Sequence, residues 1–267
     1  FDFWDTLVAD DSDEKRRAAL GLPTKPQARL QLLVDEIAPH HPHITPEQIA
    51  EAFKHANAAF NEAWKKQHHT PSVAQRLQVA YDVLKIATTP NFADVVRKVE
   101  EMEVMIPPNF VAGVNETLAQ LSKHYTLGII SDTIHTTGRG LRTMMERQGI
   151  LKYFRVFIFS DEAGASKPAP LVFERASKEL GVPFAEIVHV GDRESNDVDG
   201  PLALGMKSVL FTGVLDRGSA NTRASAMCRA TAAVERMTAG TLDLLDGGTT
   251  RRPKMVCPRG KCQRCAR

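Results

Sequence analysis

Cysteine and long apolar segments are both scarce in this chain of 267 residues. The four cysteines are Cys228, Cys257, Cys262 and Cys265, so the first 227 residues contain none. A framework of disulfides is therefore excluded for most of the chain, and a reducing compartment is expected. No apolar run approaches the ~20 residues that a membrane-spanning helix needs, and no secretory signal pattern occurs. The sequence predicts a globular protein of the cytoplasm with no membrane partner.

Acidic residues are absent after residue 250, where seven lysines and arginines lie. The formal net charge of the chain is +2, and without these seven cations it becomes −5. Binding to a nucleic-acid backbone requires a basic face, so the acidic body argues against nucleic acid as a partner. Three cysteines with C-x4-C-x2-C spacing supply three ligands for a zinc site, but no histidine follows residue 189 and Cys228 lies far back, so this spacing indicates zinc only weakly. We expect residues 251–267 to be a disordered basic tail.

Apolar residues recur at helical spacing from about Asp13 to Met105. Ile49, Phe53 and Phe60, for example, lie four and seven residues apart. Such spacing is typical of helices that bury one face. No segment in this stretch has the alternating pattern of a strand, so we predict an all-helical unit.

After residue 107 the pattern changes to short apolar runs that alternate with helical segments. The runs are 127–130, 156–159, 187–190 and 208–211, and the predicted helices are 114–121, 141–148, 170–180 and 198–204. This alternation is typical of a parallel sheet with helices on both faces. We predict an α/β fold with a Rossmann-like core at 1–7 and 108–250, and the helical insert at 8–107. The first apolar run is short, so its strand is expected to begin upstream of Phe1.

Polar residues follow the predicted strands at the points where they end. Asp2 and Asp5 lie at the first strand, Ser131 and Asp132 follow the second, and Asp192 follows the fourth. In open α/β sheets ligands bind outside the carboxyl ends of the strands, so these side chains are expected to converge. A cluster of carboxylates needs a compensating cation, and oxygen ligands suit Mg²⁺.

Asp197 and Lys167 complete this set of residues. Asp192 at a strand end and Asp197 at the next helix start can point two carboxylates at one ion. Lys167, just before Pro168, adds a second positive charge. An aspartate nucleophile, a divalent ion, a lysine and a hydroxyl are the groups that phosphoryl transfer needs.

Four segments resemble the motifs of the haloacid-dehalogenase-like hydrolase superfamily, in the same order. They are FDFWDTLV, LGIISDT, SKPAPLVFERASKELGV and IVHVGDRESNDVDGPLALGM. The resemblance covers residues 1 to about 218, and the last two segments match with high specificity. It implies a Mg²⁺-dependent phosphohydrolase that acts on a small phosphorylated metabolite through an aspartyl-phosphate. The insert at 8–107 then corresponds to the family's helical cap, a lid that excludes water and selects the substrate.

The resemblance also implies a role for each matched residue. Asp2 would be the nucleophile, Lys167 the cation that bridges nucleophile and phosphate, and Ser131 the phosphate-binding hydroxyl, with Asp132 beside it. The ligands of Mg²⁺ would be Asp2, Asp192, Asp197 and the backbone carbonyl of Trp4.

One position departs from the family's pattern. The usual first motif is D-x-D-x-T, whose second aspartate acts as general acid and base, and here Trp4 stands in its place. Asp5 occupies a position that usually holds a small residue, and it is the nearest candidate for the acid. An aromatic residue is also found there in haloacid dehalogenases, whose aspartate attacks carbon. The retained Asp192 and Asp197 favour the phosphohydrolase. A dehalogenase-like enzyme, a phosphonate-cleaving enzyme and a weakened protein that binds without turnover remain as alternatives.

Overall fold

The computed structural model of the protein describes residues 1–231. Five helices occupy residues 14–105. They are α1 (Glu14–Ala19), α2 (Lys25–His40), α3 (Pro46–Lys66), α4 (Val73–Leu84) and α5 (Phe92–Met105). Among the described residues no strand lies within this stretch, as the helical spacing predicts. The helices share an apolar core of buried residues that include Leu33, Ile37, Ile49, Leu77 and Val99.

Capping residues set the starts of α3 and α4. The Thr45 hydroxyl accepts a hydrogen bond from the Gln48 backbone N–H (3.3 Å), and the Gln48 side chain accepts one from the Thr45 N–H (2.8 Å). Ser72 and Gln75 make the same exchange at 3.2 and 2.8 Å. Reciprocal bonds of this kind satisfy N–H groups that have no partner inside the helix. Local sequence therefore fixes where these two helices begin.

The helical segment is tied at its base by a short antiparallel pair of strands. β1 (Val8–Ala9) pairs with β2 (Asn109–Phe110). The Val111 N–H also donates to the Leu7 carbonyl (2.9 Å). The chain thus leaves the sheet-containing part of the molecule and returns to it at neighbouring points.

Strands and helices alternate after β2. The elements are α6 (Val114–Leu121), β3 (Leu127–Ser131), α7 (Gly138–Arg147), β4 (Phe154–Phe159), α8 (Ser160–Ala163), α9 (Pro170–Leu180), β5 (Val188–Gly191), α10 (Gly200–Ala203), β6 (Lys207–Phe211) and β7 (Ala226–Cys228). β3 pairs with β4, and β5, β6 and β7 pair in that order, all in parallel. The predicted α/β fold with a parallel sheet is confirmed.

The first residues of the chain join these two groups of strands. Phe1 accepts a hydrogen bond at its carbonyl from the Ile130 N–H of β3 (2.9 Å). On the other side, the Asp2 N–H donates to the Val190 carbonyl of β5 (2.8 Å). The order across the sheet is therefore β4, β3, residues 1–2, β5, β6 and β7. Asp2 lies at its centre.

Both faces of the sheet are covered by helices. Ile129 of β3 belongs to a buried cluster with Leu118 of α6 and Leu141 of α7. The next residue, Ile130, belongs to a different cluster, which includes Phe173 of α9. Successive side chains of a strand point to opposite faces, so the two clusters lie on opposite sides of the sheet.

Several elements differ from the sequence-based expectation. The strands β1 and β2 and the short helix α8 were not predicted, and β1 lies within the segment 8–107 that was expected to be helical. The helix predicted at 198–204 begins earlier, as a π-helical turn at Glu194–Asp199 that runs into α10. The Arg193 N–H donates to the Asp197 side chain (3.0 Å), so a side-chain contact helps to shape the start of this turn. β7 was not predicted, because three residues are too few to show a periodic pattern.

Neither a helix that could span a membrane nor a pair of cysteines occurs among the described residues. None of their helices combines the length and the apolar character needed to cross a bilayer. Cys228, at the end of β7, is buried and unpaired within this part of the chain. The predicted tail at 251–267, with Cys257, Cys262 and Cys265, lies outside the described residues.

Candidate active site

A cavity of about 290 Å³ lies where the carboxyl ends of the strands meet the helical segment. Four of the predicted site residues line it: Asp2, Trp4, Asp132 and Lys167. Asp192 and Asp197 are buried, at 3% and 0% exposure, and do not line it. A larger cavity of about 370 Å³ lies at the amino ends of the strands, beside Leu127 and Val188, and none of the predicted site residues lines it. The smaller cavity is therefore the candidate active site.

Lys167 links two of the predicted carboxylates. Its Nζ lies 2.8 Å from Asp2 Oδ1 and 2.6 Å from Asp197 Oδ1. Burial alone would lower the pKa of Lys167, but Asp197 and Asp2 raise it above its ordinary value. The ammonium is therefore charged at neutral pH and compensates part of the negative charge around it.

Burial and charge act differently on the two carboxylates that Lys167 contacts. Burial raises the pKa of Asp2 to about 7, and Lys167 opposes this shift. Burial would also raise the pKa of Asp197, but Lys167 and a hydrogen bond from His189 hold it below its ordinary value. Burial lowers the pKa of His189 to about 4, so its ring is neutral at pH 7. Its Nε2 lies 2.8 Å from Asp197 Oδ1, and since an ionised carboxylate can only accept, Nε2 carries the proton and donates. Asp197 thus stays ionised while fully buried.

Three carboxylates form the candidate metal centre. One oxygen each of Asp2, Asp192 and Asp197 lies within 4.8 Å of the other two. Asp192 Oδ1 is buried and has no hydrogen-bond partner among the described residues. An unpartnered buried carboxylate oxygen is costly unless a cation binds it, and clustered carboxylates are a donor set that suits Mg²⁺. The residues present therefore fit the ion that the sequence predicts.

Asp132 connects the loops around the cavity with the helical segment. Its Oδ1 accepts from the Lys167 backbone N–H (2.9 Å). Its Oδ2 accepts from the indole N–H of Trp64 in α3 (3.0 Å) and from the Asn196 side chain (3.3 Å). Burial raises the pKa of Asp132, and the nearby Lys167 opposes that shift. Ser131, beside it, is buried, does not line the cavity and donates its hydroxyl to the Asp132 carbonyl (3.4 Å).

Trp4 occupies the position where the family's pattern has an acid. Its indole N–H donates to the Asp132 carbonyl (3.2 Å), and its ring packs edge-on against Phe3 with centroids 5.2 Å apart. Trp4 lines the cavity together with Asp2. An indole nitrogen is a donor only, so this side chain cannot take up a proton during a reaction.

Asp5 does not line the cavity. Its Oδ1 accepts from the Asp10 backbone N–H (3.0 Å), and its Oδ2 lies 2.6 Å from Arg217. The same arginine lies 2.6 Å from Asp192 Oδ2. The structure thus places Asp5 in an ion-pair network at the edge of the carboxylate cluster.

The side of the cavity formed by the helical segment is strongly charged. Lys25 and Arg29 of α2 line it, and both contact Glu103 of α5, at 3.2 and 3.0 Å. His135, in the loop after β3, also lines the cavity. Burial, together with the positive charges of Arg29, Arg76 and Lys25, holds the pKa of His135 well below its ordinary value. A polar substrate group would therefore meet both charged and neutral hydrogen-bonding partners here.

Sequence reasoning missed several residues of this region: Lys25, Arg29, Trp64, Glu103, Arg193, Asn196 and Arg217. Trp64, like Lys25, Arg29 and Glu103, lies within a helical pattern that carries no motif. Arg217 lies after the last of the four matched segments, which ends at residue 206. Their contacts become visible only in three dimensions. Arg193 and Asn196 lie between Asp192 and Asp197, so the match of that segment could have drawn attention to them.

The profile of the haloacid dehalogenase-like hydrolase family matches residues 45–211 of the chain. This range is more than half of the 267 residues. The chain belongs to the haloacid dehalogenase-like hydrolase family, as its motifs predict.

The chain is similar over part of its length to curated phosphatases. It is 36% identical over 104 residues to a glyceraldehyde 3-phosphate phosphatase of Pyrococcus furiosus, a match that covers 38% of this chain and 41% of that protein. It is 34% identical over 94 residues to the 5-amino-6-(5-phospho-D-ribitylamino)uracil phosphatase of Escherichia coli, covering 35% and 36%. The chain thus spans about two fifths of the length of these curated relatives.

Two solved structures share the fold over most of the chain. A HAD phosphatase from Thermococcus onnurineus superposes with a TM-score of 0.60 at 22% identity, covering 90% of this chain and 96% of that one. A 2-haloacid dehalogenase from Pseudomonas syringae gives a TM-score of 0.65 at 21% identity, with the same coverage. At these identities the likeness shows the fold alone, so it does not decide between the two reactions.

Gly191 offers a test of the packing behind the carboxylates. A Cβ at this position would lie 2.3 Å from Asp197 Cγ, too close for any real contact. Gly191→Ala should therefore displace Asp197 and lower the free energy of unfolding by about 1–3 kcal/mol, as overpacking does. The measurement is urea unfolding. In an Asp197→Gly background the clashing atoms are gone, so the same change should cost much less, and an equal cost in both backgrounds would contradict this account.

Proposed function

We propose that the protein is a Mg²⁺-dependent phosphohydrolase that acts on a small phosphorylated metabolite through an aspartyl-phosphate at Asp2. The observation that carries this proposal is the buried set of Asp2, Asp192 and Asp197 with Lys167 between two of them. A phosphate group brings negative charge that needs more positive charge than one lysine supplies. A carboxylate cluster that suits a divalent cation meets this need.

The nucleophile is Asp2. Lys167 holds one oxygen of this carboxylate at 2.8 Å and leaves the other to attack phosphorus. The bond from phosphorus to the leaving oxygen then breaks, and water hydrolyses the aspartyl-phosphate, which releases phosphate and restores Asp2. Since Lys167 is charged and buried, it also neutralises charge on a bound phosphate. Asp132 fixes the backbone of the lysine loop through its bond to the Lys167 N–H. Mg²⁺, when bound by Asp2, Asp192 and Asp197, would supply the remaining charge compensation.

Residues 8–107 act in this proposal as a cap over the site. Trp64, Lys25 and Arg29 of this segment line the same cavity as Asp2. A lid that closes over a reaction excludes water and completes the binding site. The cavity of about 290 Å³ is small, which supports a small metabolite as substrate.

The phosphatase activities in the printed names of the curated relatives also support this proposal. The dehalogenase reaction stays the second candidate. Trp4 replaces the aspartate that usually acts as general acid, and a dehalogenase needs no general acid. The cytoplasmic location stays a prediction. Ser131 stays a predicted ligand of the phosphate group. Its hydroxyl would have to break its hydrogen bond to the Asp132 carbonyl before it could bind a phosphate.

Removal of the nucleophile tests the proposal. Asp2→Asn should lower kcat for p-nitrophenyl phosphate by more than ~10³-fold, because no covalent intermediate can form. Excess chelator should abolish the activity of the unaltered protein, and Mg²⁺ should restore it. Asp35→Asn, on the exposed face of α2, is the matched control and should change nothing.

Two results would contradict the phosphohydrolase. One is full phosphate release by Asp2→Asn. The other is halide release from 2-haloacids that does not need Mg²⁺, with no phosphate released from any phosphate ester. The second result would establish the dehalogenase candidate.

The presence of Trp4 at the position of the usual acid leads to a second prediction, about how strongly the rate depends on the leaving group. Because the indole cannot protonate a leaving oxygen, aryl phosphates should react far faster than alkyl phosphates. Trp4→Asp would place an acid at the family's position, and it should raise kcat/KM for alkyl phosphates selectively by up to ~10²- to 10⁴-fold. The measurement is the ratio of alkyl to aryl kcat/KM in both proteins, with melting curves as a folding control.

The opposite pattern would show that another group is the acid. If the alkyl to aryl ratio is already high in the unaltered protein and is unchanged in a well-folded Trp4→Asp variant, the interpretation of Trp4 as a missing acid is wrong. Asp5 would then be the nearest candidate in the sequence.

A further inference from the structure

Arg217 connects two aspartates that the sequence alone does not relate. It lies in the loop between β6 and β7, and its guanidinium contacts Asp192 Oδ2 through Nε and Asp5 Oδ2 through Nη2, each at 2.6 Å. The carboxylates are nearly inaccessible, with 1% of the Asp192 side chain and 8% of the Asp5 side chain exposed. The Arg217 side chain is 33% exposed, whereas both carboxylates that it contacts are buried. Charge-assisted bonds of this length define the orientation of the carboxylates strongly.

Asp5 is itself held in place. Its backbone has a φ of 50°, in the left-handed region that aspartate tolerates better than most residues. Its second oxygen accepts from the Asp10 N–H at 3.0 Å. Asp5 therefore forms a fixed anchor for Arg217, and this contact gives a physical reason for an aspartate where the family has a small residue.

The arginine leaves Asp192 with one free oxygen. Oδ2 is occupied by Arg217, while Oδ1 is buried without a hydrogen-bond partner among the described residues. Asp192 also lies in the cluster with Asp2 and Asp197. A carboxylate fixed through one oxygen presents the other in a single direction. This is how outer partners orient a metal ligand.

We propose that Asp5 and Arg217 are a positioning pair that orients Asp192 toward a divalent cation. This inference rests on the metal centre of the proposed function. It assigns Asp5 a role through Arg217 and Asp192 rather than as the acid.

Two physical effects of Arg217 on cation binding have opposite signs. A positive charge next to a metal ligand repels the cation, so its removal would tighten binding if charge alone mattered. Orientation of Asp192 strengthens binding, so its removal weakens it. For this positioning pair, orientation outweighs repulsion, and the sign of the measured change in Mg²⁺ affinity distinguishes the two effects.

The experiment measures Mg²⁺ affinity directly, by calorimetric titration of the protein without substrate. Arg217→Gln should weaken Mg²⁺ binding by ~10- to 100-fold, the range found when outer partners of metal ligands are removed. Asp5→Asn should also weaken Mg²⁺ binding, because Arg217 loses the carboxylate that anchors it. If the two residues act as one unit, the double variant should be no weaker than Arg217→Gln alone.

Matched variants separate this role from general effects of charge or folding. Arg217→Lys keeps the charge and should recover only part of the affinity, because an ammonium cannot contact both carboxylates with the same fork. Arg223→Gln removes another arginine after β6, whose side chain is 67% exposed and pairs with Asp199, and it should leave Mg²⁺ affinity unchanged. Melting curves for every variant check that the fold is retained.

The outcomes distinguish this proposal from the function on which it rests. If the unaltered protein binds Mg²⁺ and well-folded Arg217→Gln binds it equally or more tightly, the positioning pair is refuted and the phosphohydrolase is not. Fully additive losses for Asp5→Asn and Arg217→Gln would also refute the pair. If the unaltered protein binds no Mg²⁺, both proposals fail.

Discussion

The ion pairs of Lys167 with Asp2 and Asp197 are the interaction on which the candidate site depends. They join three separate segments: the central segment of the sheet, the loop before α9 and the turn after β5. Asp132 and Asp192 add two more buried carboxylates, and Arg217 adds one cation, so negative charge is in excess. That excess of negative charge supports a divalent cation as part of the proposed reaction.

Much of the fold follows from the sequence, because buried parallel strands and amphipathic helices leave different patterns. The helix at Pro170–Leu180 has the bounds that the sequence predicts, and the runs before Ser131 and Asp192 are strands. The convergence of Asp2, Asp132 and Asp192 also follows, because parallel strands present their carboxyl ends at one edge. Lys167 is in a loop before α9, and its place beside Asp2 is expected only from the resemblance to the family. The strand β7 does not follow, because its three residues are placed by pairing with β6.

The part of the site that could not be predicted consists of contacts between distant segments. The two tryptophans of the chain both donate to Asp132, Trp4 to its carbonyl and Trp64 to its carboxylate. No local pattern announces that a residue of α3 meets the loop after β3. The same holds for Arg217 and Asp5, which lie 212 positions apart in the chain. Motifs identify the residues of the chemistry, whereas packing decides which residues hold them in place.

The central claim is that Asp2 forms a covalent bond to the phosphoryl group during turnover. The most direct measurement is acid quenching within milliseconds of mixing with p-nitrophenyl phosphate and Mg²⁺, followed by mass spectrometry of the peptide that contains Asp2. The account predicts that this peptide gains the mass of one phosphoryl group, and that the gain is absent in Asp2→Asn. Phosphate release in a burst or at steady state with no mass gain on Asp2 at any time would contradict it.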